Sequence, residues 1–159
     1  MTQLYLITGI NLLITLVLIT LLSGCEPGEE TGDRSSSVDG NGISIEGAWA
    51  RPGSMGRMSA GYFLVTNFED EPDTLKGVYS NVAQLTEIHE SYEQEEGMVG
   101  MREVSEVVIQ PNSTVSFEPG GLHVMFIQLT EALAENEDFE LTLHFSNAGD
   151  VVLEIPVRN

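Results

Sequence analysis

Two histidines and two methionines carry the donor atoms best suited to chemistry in this chain. The sequence holds only three histidines, and two of them, His89 and His123, combine with the thioethers of Met101 and Met125. Thioether sulfur is a soft, neutral ligand, and together with imidazole nitrogen it favours monovalent copper over zinc, magnesium or calcium. The four residues therefore predict a Cu(I) site.

The spacing of one pair supports this interpretation. His123 and Met125 are two residues apart in an apolar, β-branched segment that is typical of a strand. Side chains at positions i and i+2 of a strand project from one face, so a single strand presents both donors together. His89 belongs to an earlier strand-like run and Met101 follows a turn signal at 95–97, so these two reach the first pair only through tertiary folding.

The donors also occur at the spacing of a known family. Glu90 follows His89, ten residues then precede Met101, and twenty-one more precede His123 and Met125. This pattern resembles the signature of the periplasmic copper chaperones called PCuAC, which often have methionine at the position of Glu90. Similarity extends over roughly residues 43–157 and includes the segments 48–52, 60–63, 117–125 and 155–157.

The resemblance implies a fold and a function. The fold would be an all-β, cupredoxin-like Greek-key sandwich or barrel in a single domain. The function would be to carry Cu(I) in the bacterial periplasm and deliver it to a membrane cuproenzyme, principally the binuclear copper centre of cytochrome c oxidase subunit II. Thioredoxin-like Sco-type proteins would be possible partners in that delivery.

The residues themselves favour a carrier over an enzyme. Four protein donors saturate a cuprous ion and leave no position for a substrate. The sequence has no nucleophile elbow, phosphate-binding glycine loop or zinc-protease helix motif. Weakly basic thioethers exchange readily for an acceptor's thiolates, so we expect Met101 and Met125 to release the ion first while the two histidines hold it.

Three alternatives stay open at this point. The same ligands would serve copper storage or resistance. The chain would instead be a metal-free β-sandwich that binds another protein if the four donors are coincidental. A zinc site would use His89, His123 and a carboxylate such as Glu90, and it would be indifferent to replacement of the methionines.

The remaining methionines and the third histidine are not counted as ligands. Met55, Met58 and Met98 are interpreted as flexible apolar filler of the core. His144 alternates with apolar residues along a strand-like run, which places it on the solvated polar face.

The amino terminus predicts where this chemistry takes place. Residues 4–22 are almost entirely Leu, Ile, Val and Thr, and they run into Leu22-Ser23-Gly24-Cys25. This ending resembles the bacterial lipobox, so residues 1–24 would be a signal peptide and Cys25 the lipidated first residue of a membrane-anchored lipoprotein in the periplasm or at the cell surface. The apolar run is nearly long enough to span a bilayer, which leaves an uncleaved anchor as the alternative.

Cys25 is the only cysteine, and its lipidation would leave no thiolate for a disulfide, a blue-copper centre or a cysteine-based zinc site. The net charge of -19 lies entirely beyond residue 24. Such a surface repels nucleic acid and anionic lipid, so nucleic acid is not an expected partner and the membrane is reached through the lipid.

Two segments follow the signal. Residues 25–42 are rich in Gly, Ser, Glu and Asp, which is the composition of a flexible tether. Residues 43–159 suit a single domain, with nine strand-like runs separated by turn residues and one short helical turn near 130–134. Regularly spaced short strands predict an all-β sandwich or barrel.

Overall fold

Alternation of apolar and polar residues produces a chain made almost entirely of strands. A computed structural model describes residues 36–94 and 97–159. The strands are β1 Ser36–Gly40, β2 Ile43–Ala50, β3 Ser59–Asn67, β4 Asp73–Tyr79, β5 Ala83–Glu93, β6 Val99–Glu103, β7 Val107–Ile109, β8 Ser113–Phe117, β9 Leu122–Leu129, β10 Asp138–Phe145 and β11 Asp150–Pro156.

The strands form two sheets that face each other across one core. The larger sheet has the order β1-β2-β3-β8-β9-β5-β6, with an additional pairing of β3 and β9, and the smaller has the order β11-β10-β4-β7. Alternate residues of both sheets are buried between them, as in β10, where Phe139, Leu141, Leu143 and Phe145 point inward. This β-sandwich confirms the predicted fold class.

Strand β9 lies inside the larger sheet and contacts three other strands. It pairs antiparallel with β5 and with the start of β3, and it makes a short parallel contact with β8. Val124 and Phe126 are fully buried in the core, and the Phe126 ring meets Phe139 of the opposite sheet edge-to-face with centroids 5.2 Å apart. Because strand side chains alternate, the residues next to Val124, His123 and Met125, project from the outer face.

The structure differs from the sequence-based expectations in three places. Strand β1 lies inside the segment predicted to be a tether and pairs with β2, so ordered structure begins before residue 43. Strand β7 was not expected, because its three residues are too few to show an alternating pattern. The predicted helical turn at 130–134 is instead an irregular connection, held by an isolated bridge between Leu133 and Gly53.

The predicted signal peptide, Cys25 and most of the predicted tether lie outside the described residues. Within the part of the chain that the structure describes, there is no helix with the length and apolar character needed to cross a membrane.

Candidate metal centre

Strand β9 supplies the first two predicted donors, as the sequence pattern required. His123 is only 5% exposed, although it lies on the outer face of the sheet, and Met125 is half-buried beside it. The Nδ1 atom of His123 lies 3.0 Å from the carbonyl oxygen of Gly121. A carbonyl only accepts, so Nδ1 carries the proton and donates, and Nε2 is left with the lone pair that a metal requires.

Strand β5 places His89 directly opposite His123. The two residues are register partners, so their side chains leave the same face of the sheet. Their ring centroids are 6.0 Å apart and the rings are tilted by 51°. A metal bound at about 2.0 Å from a nitrogen of each ring keeps two centroids within roughly 6 Å of each other, so the separation of this pair is compatible with a shared ion.

The hydrogen bonding of His89 leaves one of its nitrogens without a partner. Nε2 lies 2.8 Å from Oε2 of Glu87, two residues earlier on the same face of β5. Nδ1 is buried and has no hydrogen-bond partner within the described structure. With its proton on Nε2 and directed at Glu87, the imidazole holds a free lone pair on Nδ1, which is the arrangement that a carboxylate imposes on a metal-binding histidine.

Strand β6 contributes Met101 from the other side of β5. Met101 pairs with Ser91, which lies two residues beyond His89, so the thioether is a diagonal neighbour of the His89 ring on the same face. Such diagonal neighbours are about 7 to 8 Å apart between backbones, within reach of a long side chain. At 57% exposure, Met101 is far more accessible than either histidine.

Three of the predicted donors line one open pocket of about 340 Å³: Met101, His123 and Met125. His89 lies beside it as the partner of His123. Tyr62 forms part of the pocket wall; its ring centroid is 6.5 Å from that of His123 and 4.7 Å from that of Trp49. The pocket therefore combines soft donors with an aromatic wall.

Sequence reasoning missed Glu87 and Tyr62 as parts of this site. Glu87 was detectable in principle, since residues i and i+2 of a strand share a face and His89 was already placed on one. Tyr62 lies on β3, and only the non-local pairing of β3 with β9 brings its ring near His123.

The interpretation of the other methionines as core filler is wrong. Met55, Met58 and Met98 are 70%, 60% and 57% exposed, because all three lie in connections between strands and not on inward-facing strand positions. The assignment of His144 to a polar face is confirmed. It lies on β10 in the smaller sheet, where its Nδ1 is 2.6 Å from Oδ1 of Asp150.

Glu90, the carboxylate named for the alternative zinc site, does not lie on the face of the two histidines. Glu90 follows His89 directly, so it projects from the opposite face of β5, where its carboxylate accepts hydrogen bonds from Arg102 at 2.6 and 3.0 Å. Among residues 36–94 and 97–159, no three His, Cys, Asp or Glu side chains form a group able to hold a metal. The donor set of this face is the mixed imidazole and thioether set.

The fold and the site define a class: a β-sandwich domain with two imidazoles and two thioethers on one face of its larger sheet. A family model described as "Putative lipoprotein LpqE-like" matches residues 43–157, and the chain belongs to this LpqE-like family. A relative from Leifsonia xyli subsp. xyli, named "Putative lipoprotein Lxx21020", is 24% identical over 138 residues, covering 87% of this chain and 82% of the relative.

Solved structures of PCuAC domains have the same fold. The copper-bound PCuAC domain from PmoF2 is 27% identical, with a TM-score of 0.65 over 77% of this chain and 97% of that domain. The Cu(I) form of DR1885 from Deinococcus radiodurans is 22% identical, with a TM-score of 0.56 over 82% of this chain and 85% of that protein, a likeness of fold. The resemblance to PCuAC domains is therefore confirmed.

Proposed function

We propose that this protein is an extracytoplasmic Cu(I) carrier that delivers copper to a membrane cuproenzyme. The observation that carries the proposal is the pairing of His89 with His123 on one sheet face, where the buried Nδ1 of His89 has no partner. An unpartnered lone pair in a buried position is unfavourable unless a ligand uses it. Met125 and Met101 add the two soft sulfurs that select Cu(I).

The gradient of exposure supports handover. His123 and His89 are the enclosed donors, whereas Met101 is at the rim. An acceptor with thiolate ligands approaches the rim first, displaces a thioether, and only then competes with the imidazoles. The ion passes directly from donor to acceptor, and it is never free in solution.

The location and the acceptor complete the proposal. The lipobox-like ending at Cys25 and the lipoprotein names of the family and of the Leifsonia relative support a lipid-anchored protein outside the cytoplasm. The binuclear copper centre of cytochrome c oxidase subunit II is the acceptor that the PCuAC resemblance favours, with Sco-type proteins as partners. The bound copper is cargo, and the protein acts on it as a carrier and not as an enzyme.

The first test is an anaerobic Cu(I) titration of the full-length chain in mild detergent, in competition with a chromogenic chelator. The wild type should bind one Cu(I), and His123→Ala should lose this binding. His144→Ala is the matched control, because this third histidine lies on the other sheet, and it should bind as the wild type does. Absence of Cu(I) binding by the wild type would leave a metal-free interaction module as the better description.

The second test concerns delivery. Cu(I)-loaded protein is mixed with the copper-free binuclear domain of an oxidase subunit II, and the purple absorbance of the filled centre is followed after reoxidation. Met101→Leu and Met125→Leu should each change the transfer rate if the thioethers yield first. Retention of copper by the wild type against this acceptor would favour storage or resistance over delivery.

A further inference from the structure

A third methionine lines the same pocket as the predicted ligands. Met58 faces the cavity together with Met101, Met125 and His123. Its side chain is 60% exposed. Met55, three residues earlier in the same loop, is 70% exposed and is not part of this pocket.

Both neighbours of Met58 in the chain make hydrogen bonds to distant segments or to the start of the loop. The carbonyl of Arg57 accepts from the backbone N–H of Leu129 at 2.9 Å. On the other side, the hydroxyl of Ser59 donates to the carbonyl oxygen of Arg51 at 2.6 Å. Met58 therefore moves mainly by rotation about its side-chain bonds. This rotation allows a thioether to adapt its position to a ligand.

The order of the strands places Met58 and Met101 on opposite sides of the histidines. Strand β3, which Met58 precedes, pairs with β9; β9 pairs with β5; and β5 pairs with β6, which carries Met101. Ala60 is the register partner of Met125, and Met58 lies just before the start of β3, where its side chain lines the same pocket as Met125. One exposed thioether thus flanks the histidine pair on each side.

We propose that Met58 is a third thioether ligand of the Cu(I) site, and this inference rests on the proposed function. A cuprous ion accepts up to four soft or borderline donors, so with both histidines and Met125 bound one position remains, and Met58 and Met101 would alternate in it. Met58 would keep the ion coordinated while Met101 gives way to the acceptor. No proton or electron moves in this exchange; one sulfur–copper bond forms as another breaks.

The test uses methionine methyl groups as probes of each sulfur. The full-length chain is labelled with ¹³C at the methionine methyls, the signals are assigned by single Met→Leu replacements, and Cu(I) is added anaerobically. The signals of Met58, Met101 and Met125 should shift together at one equivalent, and that of Met55 should stay in place. Met58→Leu should weaken Cu(I) binding about tenfold, the lower end of the range for supporting groups of a metal site.

Met55→Leu is the matched control, since it removes an exposed sulfur from the same loop without touching the pocket, and it should leave the affinity unchanged. The inference is overturned if Met101 and Met125 shift while Met58 does not, or if Met58→Leu binds as tightly as Met55→Leu. In both cases the carrier function stands. If no methionine responds to Cu(I), the proposed function and this inference fail together.

Discussion

Replacement of Glu87 probes whether the carboxylate positions His89 for copper. In Glu87→Ala the acceptor for Nε2–H is removed, and the ring is free to change tautomer or to rotate its buried Nδ1 away from the site. In Glu87→Gln a neutral acceptor remains in about the same place. Copper at Nδ1 makes Nε2–H a stronger donor, so the bond to Glu87 strengthens when the ion binds, and its loss weakens copper affinity.

The structure sets the size of the effect. The Nε2 to Oε2 distance of 2.8 Å falls in the range of charge-assisted hydrogen bonds, and the side chains of His89 and Glu87 are only 16% and 22% exposed, so water screens the bond weakly. A hydrogen bond to a charged group contributes about 1.5 to 3 kcal/mol. The bond is already present without copper, so only the part of this energy gained on binding enters the affinity, and we expect a loss of about tenfold for Glu87→Ala, the lower end of the range for groups behind a metal ligand.

Glu87→Gln should fall between the wild type and Glu87→Ala, because a neutral hydrogen bond is about half as strong as a charge-assisted one. The assay is competition for Cu(I) against bicinchoninate without oxygen, with circular dichroism to verify the fold.

Glu103 provides the matched control. It is the register partner of His89 on β6, so its carboxylate leaves the same face as that of Glu87, but it is exposed. Glu103→Ala removes the same charge from the neighbourhood and should change the affinity by less than threefold, the scale of screened surface charges. Equal losses in Glu87→Ala and Glu103→Ala would show that charge alone matters, and unchanged affinity in Glu87→Ala would refute the positioning role.

Three further predictions concern selectivity and stability. Met125→Leu should weaken Cu(I) binding but leave any Zn(II) binding unchanged, because zinc gains little from a thioether; calorimetric titration with each metal checks this. Phe126→Ala should cost about 3 to 5 kcal/mol in urea unfolding, since Phe126 is fully buried beneath the site and packs against Phe139. Added KCl should raise the unfolding midpoint, because salt screens repulsion within a chain of net charge -19; a flat midpoint between about 0.05 and 1 M contradicts this.

Much of the local structure was readable from residue alternation. Strand β2 spans the predicted 43–50 without change, and β9 begins one residue before the predicted start at His123. These segments are long enough to show a period of two, and one face of each is buried. Strand β7 was not predicted because it has only three residues. Strand β1 was not predicted because its polar composition is that of a linker, although its backbone pairs with β2.

The exposed methionines illustrate a different limit. Methionine is apolar, and its residue type alone favours burial. Residue type does not show whether a methionine lies on an inward-facing strand position or in a turn at the rim of a pocket. Met58 lies at such a rim because the 51–58 loop is anchored to Leu129 and Leu133 by backbone hydrogen bonds. Those partners are more than seventy residues away along the chain, so no local pattern reports them.

The sequence by itself determined the donor types, the strand that holds His123 and Met125 on one face, and the all-β class, because each follows from side-chain chemistry or from local backbone period. Only the tertiary structure decided that His89 pairs with His123, that Met101 and Met58 flank them, and that Glu87 bonds the Nε2 atom of His89. These relations depend on strand order and register. Order and register are set when the inner faces of both sheets are buried against each other, so no single segment specifies them.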